Sequence, residues 1–116
     1  MMKSNYGLYI EELEGLEIIE SNRGFATYKI KDDELWVYDV FVRPDYRGCG
    51  LAKRYFDQLE EIAKENKCKY MVTLTNTNNN AWEKSTDILI DHGYKAFDVT
   101  DKGTIFLKLE IEHGKE

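Results

Sequence analysis

The feature that most constrains the fold is an apolar strand pattern that leads, through a short glycine-bearing loop, into an amphipathic helix pattern. Residues 35–42 are almost continuously apolar or aromatic, which is typical of a central β-strand covered on both faces. From Leu51 to Asn66 the apolar residues recur instead at the spacing of one helical stripe, with charged residues opposite. A chain of 116 residues built around this unit is predicted to form a single α/β domain over residues 1–116.

The residues before this unit predict an antiparallel meander. Two short strand patterns, Gly15 to Glu20 and Phe25 to Ile30, are separated by the polar turn Ser21-Asn22-Arg23-Gly24. A second polar turn, residues 31–34, leads into the central strand. The segment from Tyr6 to Leu13 is predicted to add an earlier strand, with a short helix as the alternative.

The residues after the long helix alternate strand and helix patterns. Tyr70 to Thr75 is predicted to be a buried strand, and Asn78, Asn79 or Asn80 to cap a second helix that stops at Gly93. Two further strands, 94–99 and 104–111, complete the order β-β-β-α-β-α-β-β. We therefore expect a mixed, mostly antiparallel sheet of about six or seven strands with two main helices.

Composition excludes several classes of protein. The net charge is −6, from 16 basic and 22 acidic residues, whereas binding of nucleic acid by phosphate neutralisation needs a basic surface. No apolar run approaches the roughly 18 residues of a membrane span, and no signal-peptide pattern is present, so a cytoplasmic protein is expected. The two cysteines, Cys49 and Cys68, and the histidines His92 and His113 lack metal-ligand spacing, so no metal is expected.

The loop between the central strand and the long helix carries the chemical signal. Basic and glycine residues precede a helix N-terminus, where unpaired N–H groups and the helix dipole attract anions such as a diphosphate. A Walker A loop is excluded because Leu51-Ala52 follows Gly50 where Lys-Ser/Thr is required. The dinucleotide fingerprint is excluded because Lys53 replaces its third glycine and hairpins precede the loop.

The segment 47–52, Arg-Gly-Cys-Gly-Leu-Ala, resembles the coenzyme A signature of the GNAT acetyltransferase superfamily, Arg/Gln-x-x-Gly-x-Gly/Ala. The preceding Val-x-Pro-x-Tyr of residues 42–46 resembles the usual lead-in of that family. Asp91-His92-Gly93-Tyr94 resembles its helix–Gly-Phe–strand junction. The similarity covers about residues 24–110 and also matches the order of elements.

The resemblance implies that acetyl-CoA is the cosubstrate. Amides of residues 49–52, with Arg47 and Gly48, would hold the pyrophosphate, and a splay beside the central strand would admit the pantetheine arm. An N–H near Phe41 would polarise the thioester carbonyl. The implied coenzyme-binding residues are Phe41, Val42, Arg47, Gly48, Cys49, Gly50, Leu51, Ala52 and, in the polar segment before the second helix, Asn79.

The implied reaction is attack of an amine on the thioester, which needs a base because an ammonium group has a pKa near 10. In this family the base is often a carboxylate on or near the central strand, and Asp39 and Glu34 are the candidates. Asp39 stands in an apolar strand, where an unpaired carboxylate is costly. The alternatives are that Asp39 only faces solvent or pairs with a lysine, and that Glu34 is only a turn residue.

Three features depart from the family pattern. Leu89 occupies the position of the usual general acid, a tyrosine, so Ser85, Tyr94 or water would have to donate the proton. Trp82 occupies the position at which family members usually have an asparagine, at the start of the helix that contains Leu89. The segment ahead of the meander is also short, which leaves the acceptor side open and favours a large acceptor or a wall from a second subunit.

The resulting hypothesis is an N-acetyltransferase that moves an acetyl group from acetyl-CoA to a primary amine in a ternary complex. The acceptor is a small molecule, a protein lysine or a protein N-terminus. A homodimer is also expected, because the short segment ahead of the meander leaves a wall for a second subunit to supply. The first alternative is a catalytically silent GNAT-fold module that binds CoA or a protein. The second, a toxin-type enzyme acting on tRNA, is disfavoured by the negative charge.

Overall fold

The computed structural model describes residues 4–112, except for the side chains of residues 13 and 14. His113 lies outside the described residues. The helical elements are α1 (Asn5–Tyr9), a π-helical stretch (Ile10–Glu14), a 3-10 turn (Pro44–Tyr46), α2 (Leu51–Glu65) and α3 (Trp82–His92). The strands are β1 (Glu17–Ser21), β2 (Gly24–Lys31), β3 (Glu34–Val42), β4 (Tyr70–Asn76), β5 (Lys95–Val99) and β6 (Thr104–Glu110).

The six strands form one sheet in the order β1-β2-β3-β4-β6-β5. All neighbouring strands are antiparallel except β3 and β4, which are parallel and joined through α2. The predicted mixed, mostly antiparallel α/β fold is confirmed. Within the described residues, no helix is long and apolar enough to cross a membrane.

The parallel pairing of β3 with β4 is short. It joins residues 34–36 to residues 70–72 and then ends, although β3 continues to Val42 and β4 to Asn76. We call these three residue pairs the parallel seam. Beyond the seam the C-terminal parts of the two strands are not paired with each other, as a splay would require; we call this part of the sheet the splayed end.

The core lies on the face of the sheet that α2 and α3 cover, which we call the core face. The stripe of α2, formed by Tyr55, Leu59 and Ala63, is buried there against the sheet. Tyr94, which follows α3, is also buried there, and burial, with a smaller effect of Glu60, raises the pKa of its hydroxyl far above the ordinary value. Burial, with a smaller effect of Asp33, likewise raises the pKa of the Cys68 thiol.

A β-bulge redirects the second half of β3. Thr27 lies opposite Asp39, whereas the next residue, Tyr28, lies opposite Val37, so Tyr38 is an extra residue in β3. Val40 and Val42 consequently pack against the core. The alternation of a strand then places Asp39 and Phe41 on the other side of the sheet, which we call the outer face.

Three expectations were wrong. The strand expected over residues 6–13 is instead helical; the Ser4 hydroxyl oxygen caps it by accepting from the Gly7 N–H at 3.0 Å. The central strand is not covered on both faces, because after the bulge Asp39 and Phe41 are exposed. No asparagine is the N-cap of α3, which begins after Ala81.

Candidate functional site

The loop between β3 and α2 has a backbone that requires glycine. Gly48 and Gly50 have φ values of +85° and +81°, in the left-handed region that other residues rarely adopt. A Cβ atom at either position would meet nothing within 4 Å. The glycines are therefore needed for the curl of the chain, and the space in front of the loop is open. We refer to residues 47–53 as the glycine loop.

The N–H groups of the glycine loop form a run of unused donors. The first hydrogen bond within α2 is from the Arg54 N–H to the Gly50 carbonyl oxygen at 3.1 Å. Among the described residues, the six consecutive N–H groups from Gly48 to Lys53 have no acceptor. Six unpaired donors at the positive end of a 15-residue helix form an anion site of the right size for a diphosphate.

Three arginines lie in or beside this loop. The Arg47 Nε donates to the Val42 carbonyl oxygen at 2.9 Å, and its guanidinium lies 5.9 Å from the centre of the Phe41 ring. Arg23 and Arg43 both stack on the Tyr46 ring, at 5.3 and 5.9 Å. No carboxylate within the described part of the chain forms an ion pair with any of the three. The loop is thus locally cationic in an acidic protein.

Cys49 contributes to the shape of the loop through its side chain. The thiol is exposed, and it donates to the Tyr46 carbonyl oxygen at 2.8 Å. This bond fixes the residue between the two left-handed glycines, and its N–H remains unpaired like those of its neighbours.

The two candidate bases lie at opposite ends of β3. Asp39 is exposed on the outer face, where its carboxylate accepts from the buried Thr27 hydroxyl at 3.3 Å and, among the residues described, pairs with no lysine. Glu34 lies in the parallel seam, where its carboxylate pairs with Lys108 Nζ at 3.5 Å and accepts from Trp36 Nε1 at 3.2 Å. Five residues of strand, roughly 15 Å, separate the two. The structure therefore brings Asp39, and not Glu34, to the splayed end.

The start of α3 lies at the same end of the sheet as the glycine loop, because both follow the carboxyl ends of the parallel strands β3 and β4. Asn79 is exposed there, and its side-chain oxygen accepts from the Ala81 N–H at 2.9 Å. Ser85, in the first turns of α3, is also exposed. Leu89, by contrast, is buried in the core.

The hydroxyl that α3 directs onto the sheet belongs to Thr86, which is not among the residues predicted from the sequence. Its Oγ1 lies 3.0 Å from the Thr75 hydroxyl and donates to the Trp82 carbonyl oxygen at 2.6 Å. The available signal was spacing: Thr86 is four residues after Trp82 and three before Leu89, on the buried side of the helix.

Solved structures with the same fold were found by structural comparison. The ribosomal-protein-S18-alanine N-acetyltransferase from Escherichia coli superposes with a TM-score of 0.71 at 17% identity, covering 100% of this chain and 82% of that one. A GNAT family acetyltransferase from Elizabethkingia anophelis with acetyl-CoA bound gives 0.70 at 16%, covering 92% and 83%. The PaiA N-acetyltransferase from Thermoplasma acidophilum, in complex with coenzyme A, gives 0.68 at 17%, covering 87% and 65%.

At these identities the likeness establishes the fold alone. No curated protein matches the chain by sequence. The family model described as the acetyltransferase (GNAT) family matches residues 7–83, a span that includes the bulged strand β3, the glycine loop and α2. Since this match extends over more than half of the sequence, the chain belongs to the GNAT acetyltransferase family.

Proposed function

We propose that this protein is an N-acetyltransferase that transfers the acetyl group of acetyl-CoA directly to a primary amine in a ternary complex. The observation that carries the proposal is the run of six unpaired N–H groups in the glycine loop, beside two strands that are not paired with each other after the parallel seam. Membership of the family supports it. So do the relatives that were solved with coenzyme A or acetyl-CoA.

In this proposal the glycine loop holds the pyrophosphate. The N–H groups of Gly48 to Ala52 donate to it, and Arg47 adds positive charge without a competing carboxylate in the described part of the chain. The edge of β3 at Phe41 and Val42, left without a strand partner on the β4 side, pairs with the amide-bearing pantetheine arm. Asn79, at the same end of the sheet, flanks the coenzyme.

The chemistry then depends on a thioester that reacts with an uncharged amine. The amine nitrogen attacks the carbonyl carbon, a C–N bond forms, and the C–S bond breaks. The amine loses a proton to a base, and the departing thiolate gains one, so the products are an acetamide and the free thiol. A main-chain N–H near Phe41 stabilises the oxyanion, and no acyl group is carried by the enzyme.

We assign the base to Asp39, because it lies at the splayed end with an exposed carboxylate held by the Thr27 hydroxyl. Glu34 is occupied by Lys108 in the parallel seam. The proton for the thiolate comes from water or from the exposed Ser85 hydroxyl, because Leu89 cannot donate one.

The first test is isothermal titration of acetyl-CoA into the wild-type protein and into Gly50→Glu. We expect micromolar binding to the wild type and no measurable binding to the variant, since glutamate adds a negative charge at the diphosphate site. Gly15→Glu is the matched control, because Gly15 has a similar φ of +68° and is remote from the glycine loop. Absence of binding to the wild type would contradict the proposal.

The burial of Leu89 where the family usually has an acid favours one other function, a silent module that binds coenzyme A without catalysis. The two functions differ in the release of free thiol from acetyl-CoA. Release that depends on an added amine supports the enzyme, whereas binding without release in a panel of amines supports the module.

A further inference from the structure

Four aromatic side chains form a continuous row across the outer face, from α1 to the end of β3. The ring centres are 6.5 Å apart for Tyr9 and Tyr6, 5.1 Å for Tyr6 and Phe25, and 5.4 Å for Phe25 and Phe41. We call these residues the aromatic row. At its β3 end, the Arg47 guanidinium stacks on Phe41 and connects the row to the glycine loop.

Three of the four members of the aromatic row are exposed, and Phe25 is half-buried. The exposed fractions are 45% for Tyr6, 48% for Tyr9 and 39% for Phe41. Large apolar side chains that remain accessible as a contiguous set, rather than singly, are typical of an interaction site. The row therefore has the composition of a surface that another molecule covers.

The row ends beside the proposed base. In the β2–β3 ladder Phe25 is paired with Phe41, and the next pair on the same face is Thr27 with Asp39. An amine at Asp39 consequently has Phe41 and Phe25 as neighbours one residue pair further along the ladder on the same face. A carboxylate next to aromatic faces is suited to an ammonium group with an apolar attachment.

The row lies outside two cavities in the described part of the chain. A cavity of about 620 Å³ lies near the start of β4 and the end of β6, and one of about 490 Å³ lies between the β1–β2 turn and α2. Neither is lined by a member of the row. A small-molecule substrate is normally surrounded by its site, whereas an open strip is suited to an extended chain that spreads its contacts.

We propose, on the basis of the acetyl transfer proposed above, that the acceptor is a polypeptide whose amine lies at Asp39 and whose adjoining extended segment packs apolar side chains on the aromatic row. The ring spacing of 5.1 to 6.5 Å is at or somewhat below the roughly 6.6 Å between side chains on one face of an extended strand. Successive apolar side chains of such a segment can thus contact successive rings.

The test uses two synthetic peptides that carry the same single amine. In one, the alternate residues next to the amine are leucine, and in the other they are serine; n-butylamine is the small-molecule comparison. We expect kcat/KM for the leucine peptide to exceed that of the serine peptide at least tenfold. In the double variant Tyr6→Ala, Tyr9→Ala the ratio should fall by about fivefold or more, since two of the four rings are lost and each contributes about two- to tenfold to the preference for leucine.

Ile88→Ala is the control for this experiment, because Ile88 is 60% exposed on α3, outside the aromatic row. It should retain the wild-type ratio. Titration of acetyl-CoA into each variant, and a thermal melt, separate loss of recognition from loss of the coenzyme site or of the fold. Two results would overturn this inference while leaving the proposed function intact. In both, the wild-type protein binds acetyl-CoA. In one it acetylates n-butylamine at least as well as the leucine peptide, and in the other it acetylates the two peptides equally. Failure to bind acetyl-CoA overturns the proposed function as well.

Discussion

At the scale of single residues, the position of Asp39 depends on one extra residue in its strand. Without the bulge at Tyr38, strand alternation would direct Asp39 to the core face, where Val40 and Val42 now pack. The bulge thus exchanges the two faces at the splayed end. It exposes a carboxylate and an aromatic ring to the side from which an acceptor can approach, and it keeps the valines in the core.

This arrangement predicts a selective effect of Asp39→Asn. Asparagine keeps the shape of the side chain but cannot take a proton from the ammonium group, so kcat/KM for amine acetylation should fall by about 10² to 10³. The Kd for acetyl-CoA should not change, because Asp39 is not in the glycine loop. Steady-state kinetics and titration measure the two quantities. Asp101→Asn, in the exposed β5–β6 turn, is the control, and a loss below threefold would argue against Asp39 as the base.

Residue-level prediction from sequence succeeded where the backbone itself sets the requirement. The sequence pattern placed Gly48 and Gly50 in the anion-binding loop, and both have positive φ. Thr86 was missed because its partner, Thr75, is 11 residues away on a different element. The rotation of an amphipathic helix about its axis decides which of its hydroxyls faces a strand. Packing of the whole core sets that rotation.

At the scale of elements, the backbones of β2 and β3 approach each other closely at Gly24. A methyl group on Gly24 would overlap the carbonyl oxygen of Phe41. The absence of a side chain there allows the first residue of β2 to pair with Val42, next to the glycine loop. Gly24 therefore determines where β3 ends its pairing, and with it the start of the loop.

Gly24→Ala should consequently destabilise the fold by about 2 to 3 kcal/mol, since neither backbone can retreat without loss of strand pairing. Urea unfolding measures the change in the free energy of unfolding. Gly15→Ala is the comparison: it has a positive φ of +68° and open space, and it should cost only about 1 kcal/mol. Equal losses in the two variants would contradict the importance of the close approach.

Elements with local signals were predicted closely, and those fixed by distant contacts were not. Helix α2 begins at Leu51 as expected, because its amphipathic stripe is a property of consecutive residues. The segment from Tyr6 to Leu13 carries apolar residues that fit either period. Its helical state is supported by the Ser4 cap and by the packing of Gly7 against Glu20 of β1, which sequence spacing does not reveal.

At the scale of the whole molecule, the core is concentrated on one face of the sheet. Leu59 of α2 is fully buried there among residues of the sheet, including Leu35 and Met71 on the two strands of the parallel seam. The helix thus holds together strands that pair with each other over three residues only.

Leu59→Ala should therefore cost about 2 to 5 kcal/mol of unfolding free energy, because the cavity forms at the junction of both halves of the sheet. Differential scanning calorimetry and urea titration give the change. Ile88→Ala, which removes an exposed side chain of similar size, should change stability by less than about 0.5 kcal/mol. A comparable loss in both variants would show that the core is not centred on α2.

The parallel seam has a consequence for how this protein unfolds. It divides the sheet into two antiparallel halves, β1–β3 and β4–β6, whose strands pair at these three positions, next to a main-chain bond from the Lys69 N–H to the Asp33 carbonyl oxygen at 2.6 Å. Within each half the strands pair with their own neighbours. Each half can therefore open locally without the other, and we expect amide hydrogens in the two halves to exchange with solvent at different rates. A ligand that binds between the C-terminal parts of β3 and β4 would contact both halves and couple their unfolding. Its occupancy would then be measured by how far the exchange rates of the two halves converge.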